Sequence, residues 1–270
     1  MLSISTCGEL DADSTAFYRE VLAALGASGV PFLIGGAFAL ACYTRVERQT
    51  KDLDLFIRRS DCGRAGAALL QAGHEVVPVH PHWLAKVHRG EFFVDLIFAS
   101  GNGLCEVDDD WFRHAADARL LGLAVKIVPV EESIWSKAFI MERERYDGAD
   151  IAHLLQACAE RIDWPRLLQR FGPHWRVLLS HLLLYGFVYP AERARVPGRV
   201  MQQLLDRLRD EQAAEPPGER VCQGTLLSRE QYLSDVQQGY RDARLAPLGP
   251  MTAQEVARWT DAIPGRPAAP

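Results

Sequence analysis

The sequence predicts an α+β protein: a mixed sheet flanked by helices, followed by a helical C-terminal domain. Three observations predict it. Short apolar runs with strand-like alternation recur between residues 32 and 130, divided by glycine-bearing turns. Helix-like stretches lie between some of them, as mixed layers require. From Glu131 onward the apolar spacing changes to the three-and-four repeat of helices.

The elements follow in order. Asp13 and Ser14 are placed to cap a first helix, "STAFYREVLAALGAS", expected to end near Gly26. "PFLIGG" reads as a short buried strand stopped by two glycines, and "AFALACYTRV" as a helix that starts directly after them. "DLDLFI" is a strand, and residues 61–72 form a small-residue helix closed by Gly73. "HEVVPVH" is a strand. "WLAKVHRGEFFVDLIFA" is a hairpin turning at Arg89–Gly90, and "LLGLAVKIVPVEES" adds a strand pair or a strand and turn. "EESIWSKAFIMERER" is expected to be helical throughout, and further helices follow in "DGADIAHLLQACAERI", "WPRLLQRFG", "HWRVLLSHLLLYGFV" and "VPGRVMQQLLDRLRDEQ". "AAEPPGER" is a loop and "IPGRPAAP" a frayed tail. The expected domains are therefore 1–130, 131–262 and a tail, 263–270.

The whole-chain numbers exclude some functions. A formal net charge of −5 argues against a non-specific nucleic-acid binder. No apolar run reaches the roughly 20 residues of a membrane span. The polar, acidic N-terminus does not read as a signal peptide. Six cysteines (Cys7, Cys42, Cys62, Cys105, Cys158, Cys222) are scattered without a CxxC pair, which predicts reduced thiols and a cytoplasmic setting.

The stretch "TKDLDLFI" holds the functional signal. Leu53, Leu55 and Ile57 share one strand face, and Asp52, Asp54 and Phe56 share the other. Aspartate is a poor strand former, and two like charges on one face repel. Their Cα atoms lie roughly 6.5 Å apart, close enough for both carboxylates to reach one or two Mg²⁺ ions. "EFFVDLIFA" repeats the anomaly: Asp95 shares a face with Phe93 and Ile97. Gly35 and Gly36 stand between a strand and a helix, where a phosphate can approach the backbone and the helix N-terminus favours an anion. Each signal has a plainer reading. A tight turn also wants glycine, and Thr50 and Lys51 are polar enough for an exposed edge strand. Arg45 and Arg48 are either phosphate contacts or ordinary helix-end arginines. His80 and His82 read as a turn, the acidic run 106–110 as a loop ending in a helix cap, and the tryptophans as packing.

Gly-Gly at a strand-to-helix turn, then Asp-Leu-Asp-Leu, then a lone Asp in a later strand, resembles the nucleotidyltransferase superfamily that includes DNA polymerase β. The chain looks most like its minimal bacterial members, the aminoglycoside and lincosamide nucleotidyltransferases and the abortive-infection toxins. The resemblance spans Phe32 to about Leu155, including "KAFIMERERYDGADIAHLL". It implies transfer of a nucleoside monophosphate from an NTP such as ATP to a hydroxyl or phosphate acceptor, with two Mg²⁺ ions on Asp52, Asp54 and Asp95. Asp95 would also take the acceptor proton. It places Gly35, Gly36, Arg48 and Lys137 at the nucleotide, and Asp147 or Asp150 near the acceptor or nucleotide. The family often has Gly-Ser where this chain has Gly-Gly, which leaves backbone amides to carry the phosphate contact. The acceptor, a small molecule or tRNA, would be chosen by the helical half. A catalytically silent module of the same fold and a toxin acting on tRNA are the alternatives. The series Arg161, Arg166, Arg170, Arg176, Arg193, Arg195, Arg199 would supply the toxin's basic groove.

Overall fold

A computed structural model describes residues 2–3, 12–47, 50 and 52–263. The chain divides into two compact units, Met1–Pro129 and Val130–Pro270.

The first unit is built on an eight-stranded mixed sheet. Its elements run β1 (Leu2–Ser3), α1 (Ala12–Ser28), β2 (Leu33–Ile34), α2 (Gly36–Thr44), β3 (Asp52–Phe56) and α3 (Cys62–Gln71). They continue with β4 (Val76–His80), β5 (Leu84–Arg89), β6 (Phe92–Ile97), α4 (Asp109–Arg113), β7 (Ala116–Leu120) and β8 (Leu123–Ile127). Across the sheet the order is β1-β7-β8-β2-β3-β6-β5-β4. β3 pairs antiparallel with β2 and parallel with β6, so it is an interior strand and not the edge that Thr50 and Lys51 suggested.

The pleat sorts the two faces of β3 and β6. Leu53, Leu55, Val94 and Leu96 are buried with Phe17, Val21 and Leu25 of α1 and Ala65 and Leu69 of α3. That apolar layer is the core of the unit. Because side chains alternate along a strand, the same register sends Asp52, Asp54 and Asp95 to the opposite face.

Two details of α1 differ from the sequence reading. It begins at Ala12, so Asp13 and Ser14 lie in its first turn, and it runs through Gly26 to Ser28. A glycine in a helix costs about 1 kcal/mol against alanine, too little to stop a helix anchored by five buried apolar residues. The helix closes instead at Gly29, whose φ of 68° suits a residue without Cβ.

The second unit is mainly helical: α5 (Val130–Ala138), α6 (Gly148–Cys158), α7 (Trp164–Phe171), α8 (Trp175–Val188) and α9 (Gly198–Ala213). After a loop come two short paired strands and two more helices, β9 (Val221–Cys222), α10 (Leu233–Gln237), β10 (Arg241–Asp242) and α11 (Ala253–Asp261). The strands are too short to show a period in sequence. The expected helix from Glu131 to Arg145 stops at Ala138. Residues beyond it form a turn closed by a bridge between Met141 and Tyr146. Tertiary bonds outweigh helix propensity there: the Met141 amide donates to the Leu227 carbonyl, and the Glu142 carboxylate accepts from Ser228 Oγ at 2.6 Å.

No helix among the described residues is long and apolar enough to cross a membrane. Among the described residues, Cys42, Cys62, Cys105, Cys158 and Cys222 form no disulfide, and Cys7 lies outside the described residues.

Candidate metal and nucleotide site

Strand register assembles the site. Asp54 on β3 stands opposite Asp95 on β6, and Asp95 stands opposite Lys86 on β5. Asp52 is one pleat repeat before Asp54. One oxygen from each of Asp52, Asp54 and Asp95 lies within 4.8 Å of the other two. Three hard carboxylate oxygens at that spacing fit an oxygen-seeking divalent cation such as Mg²⁺ or Mn²⁺, and offer nothing to a thiolate-seeking metal.

Side-chain bonds hold the carboxylates of Asp52 and Asp95, and a backbone bond holds the strand at Asp54. Thr50 Oγ1 donates to Asp52 Oδ1. The Gly35 amide donates to the Asp54 carbonyl at 2.9 Å, tying the strand-to-helix turn to the middle of β3. Lys86 Nζ donates to Asp95 Oδ1 at 2.7 Å and sits 3.8 Å from the centroid of the Phe93 ring. Burial pushes the Asp95 carboxyl above the usual carboxylate range, the Asp52 charge adds to the rise, and Lys86 opposes both.

The two glycines are required by what packs on them. A Cβ on Gly35 would enter the ring of Phe56, which stacks on the fully buried Trp111 at 5.2 Å. Gly36 has φ 53°, and a Cβ there would overlap the Asp54 carboxylate. Any side chain at position 36 would need both a left-handed backbone and a displaced Asp54 carboxylate. α2 starts at this point with no side-chain cap from Gly35. Its N-terminus carries the partial positive charge that favours an anion beside the carboxylates.

The other expected residues divide. Arg48 lies outside the described residues. Arg45 is exposed with φ 60° and ends α2. Lys137 belongs to the second unit, where it is 2.8 Å from both Asp147 Oδ2 and Asp150 Oδ2. It is therefore a largely buried, doubly paired cation. Burial alone would raise the Asp147 carboxyl. Hydrogen bonds from Arg145 and Lys137 and the charges of both outweigh burial and hold it below its ordinary range.

Much of the arginine series is committed to ion pairs. Arg166 binds Glu131 and Glu132, Arg170 binds Glu132 at 2.9 Å, Arg176 binds Glu211 and Arg195 binds Glu192. Glu132 is completely buried by this arrangement. His82 is buried with Nε2 at 3.0 Å from the Gly101 carbonyl oxygen, and His80 stacks on Trp83, so the His-x-His stretch is a packed turn.

Sequence reasoning overlooked Lys86 and treated Thr50 only as polar. Lys86 was reachable: counting back from the Arg89–Phe92 pair that closes the β5–β6 hairpin sets Lys86 opposite Asp95.

No protein-family model matches the sequence, and no curated protein sequence matches it. Among solved structures the chain is similar to the antibiotic-resistance factor ANT(2'')-Ia, at 19% identity and a TM-score of 0.44 over 64% of this chain and 98% of that one. It is also similar to the lincosamide antibiotic adenylyltransferase LnuA, at 14% identity and a TM-score of 0.36 over 53% and 96%. A nucleotidyltransferase-like protein from Paracoccidioides brasiliensis gives 18% identity and a TM-score of 0.45 over 69% and 94%. These likenesses are distant, and the chemistry below rests on the chain's own residues.

Proposed function

We propose that this protein is a metal-dependent nucleotidyltransferase, moving a nucleoside monophosphate from an NTP to a hydroxyl or phosphate acceptor and releasing pyrophosphate. The observation that carries the reading is the three-carboxylate cluster on the sheet face opposite the core, beside a Gly-Gly helix N-terminus whose glycines are sterically required. Such a cluster is costly to a fold and repels itself, so a purely structural role has little to support it.

Asp52, Asp54 and Asp95 would hold divalent metal, two ions when nucleotide is bound. Bound Mg²⁺ supplies charge neutralisation and Lewis-acid polarisation of the triphosphate. Thr50 orients Asp52, and Gly36 keeps Asp54 in place. The turn at Gly35–Gly36 brings backbone amides to the phosphates. Asp95 accepts the acceptor's proton as the acceptor oxygen bonds to the α-phosphorus and the bond to pyrophosphate breaks. ATP is the first nucleotide to try. The free thiols suit a reducing, cytoplasmic setting. The paired arginines weigh against a basic RNA groove and favour a small acceptor.

A thermal-shift panel with each NTP, with and without Mg²⁺, followed by a pyrophosphate-release assay over hydroxyl-bearing acceptors, tests this. Mg²⁺ and an NTP together should stabilise more than either alone. Equal shifts with and without metal would count against the reading.

A further inference from the structure

Lys86 is not needed to build the sheet, yet it is fixed in place from three directions. The strand register puts it beside Asp95, its ammonium is 2.7 Å from Asp95 Oδ1, and the Phe93 ring lies 3.8 Å beneath it. Its side chain is only 21% exposed. A lysine that sheds most of its water to sit against a carboxylate and a ring face behaves as a preset positive charge. That charge lies in the one row of the sheet that also carries Asp54 and Asp95.

Charge counting gives this a consequence. Asp52, Asp54 and Asp95 contribute three negative charges, and Lys86 cancels one. The remaining two are balanced by a single divalent cation. A second divalent cation would leave the site positive until a polyphosphate supplied more negative charge. The nearest other titratable side chain on the same strand, His88, stands opposite Phe93 in the neighbouring row, the one that carries Asp52.

We propose that Lys86 is the built-in counter-charge of the carboxylate site, a positioning residue that weakens metal uptake by the nucleotide-free protein and limits it to one divalent ion. This rests on the reading of Asp52, Asp54 and Asp95 as metal ligands. Lys86 acts through Asp95 and through the field at the site.

The test is Mn²⁺ binding to the full chain at pH 8 without nucleotide, by calorimetry and by electron paramagnetic resonance of unbound Mn²⁺. Wild type, Lys86→Met, Lys86→Gln and Lys86→Arg are compared. Wild type should take up one ion. Both neutral variants should bind Mn²⁺ about tenfold more tightly or better, as expected for removing a unit charge near a divalent ion even with water-like screening. Lys86→Arg should stay near wild type. In chelator the neutral variants should melt lower than wild type, because Asp95 has lost its partner, and Mn²⁺ should raise their melting temperature more than it raises that of wild type. Unchanged or weaker Mn²⁺ binding in Lys86→Met and Lys86→Gln overturns the proposal and leaves the triad standing as a metal site. So does a Lys86→Arg variant that tracks the neutral ones, or a wild type that binds two ions without nucleotide. If no variant binds Mn²⁺, both the proposal and the metal reading fall.

Discussion

Replacing Gly36 with alanine should do two kinds of damage at once. The residue has φ 53°, a conformation that costs an L-residue roughly 1–2 kcal/mol. The new methyl would also fall on the Asp54 carboxylate, and an overpacked contact that must be relieved costs about 1–3 kcal/mol. The sum is about 2–5 kcal/mol, a fall in melting temperature of roughly 10 °C for a unit of this size. Relief by moving Asp54 aside would break the ligand cluster, so Mn²⁺ affinity should drop with stability. Gly26→Ala is the control. It lies in α1 with nothing within 4 Å of a new Cβ, and should stabilise by about 0.5–1 kcal/mol without changing Mn²⁺ binding. Both variants can be followed by circular dichroism melts and Mn²⁺ titration. If Gly36→Ala melts within a degree or two of wild type and binds Mn²⁺ equally well, the crowding of Gly36 against Asp54 is not what sets this site.

Three further outcomes are expected. Asp54→Asn should abolish pyrophosphate release while apo stability holds or rises, since a neutral amide relieves repulsion from Asp52 and Asp95; near-normal release would remove β3 from the chemistry. Asp95→Asn should also abolish release but keep more metal–nucleotide binding than Asp54→Asn, because Asp52 and Asp54 remain, and calorimetry with an NTP and Mn²⁺ separates the two. Asp147 is held below its ordinary range in the folded state, so its contribution is present above the unfolded carboxylate pKa and lost as pH falls through the folded one. Asp147→Asn should therefore lower the melting temperature at pH 7 by the equivalent of about 1–3 kcal/mol and flatten its fall between about pH 5 and pH 3, and an unchanged pH profile would show that the Arg145–Asp147–Lys137 bonds do not matter to stability.

What could be read in the sequence follows from periodicity. The period-two pattern of "DLDLFI" fixed which side of β3 is core, and "EFFVDLIFA" did the same for β6. Two carboxylates out of phase with a buried face are visible in a string of letters because burial and charge conflict there. That the two strands are neighbours was only a supposition, since parallel pairing between β3 and β6 depends on α3 and the β4–β5 hairpin between them. Lys86 was legible in principle through the hairpin count, but an ordinary lysine among strand residues attracts no notice. The end of α5 was not legible: its continuation favours a helix locally, and only the bonds to Leu227 and Ser228, far along the chain, prevent it. The pairing of Lys137 was hidden for the same reason, because its partners Asp147 and Asp150 lie beyond that misread turn.

The central claim is that Asp52, Asp54 and Asp95 together hold divalent metal that carries a nucleotide. Crystals grown with Mn²⁺ and a non-hydrolysable NTP, measured at a wavelength where manganese scatters anomalously, address it directly. The account predicts anomalous peaks within ligand distance of all three carboxylates, roughly 2.0–2.6 Å for hard oxygen-bound cations, with the triphosphate lying against the Gly35–Gly36 turn. A nucleotide bound elsewhere, or no manganese among these three side chains at saturating concentration, would contradict it.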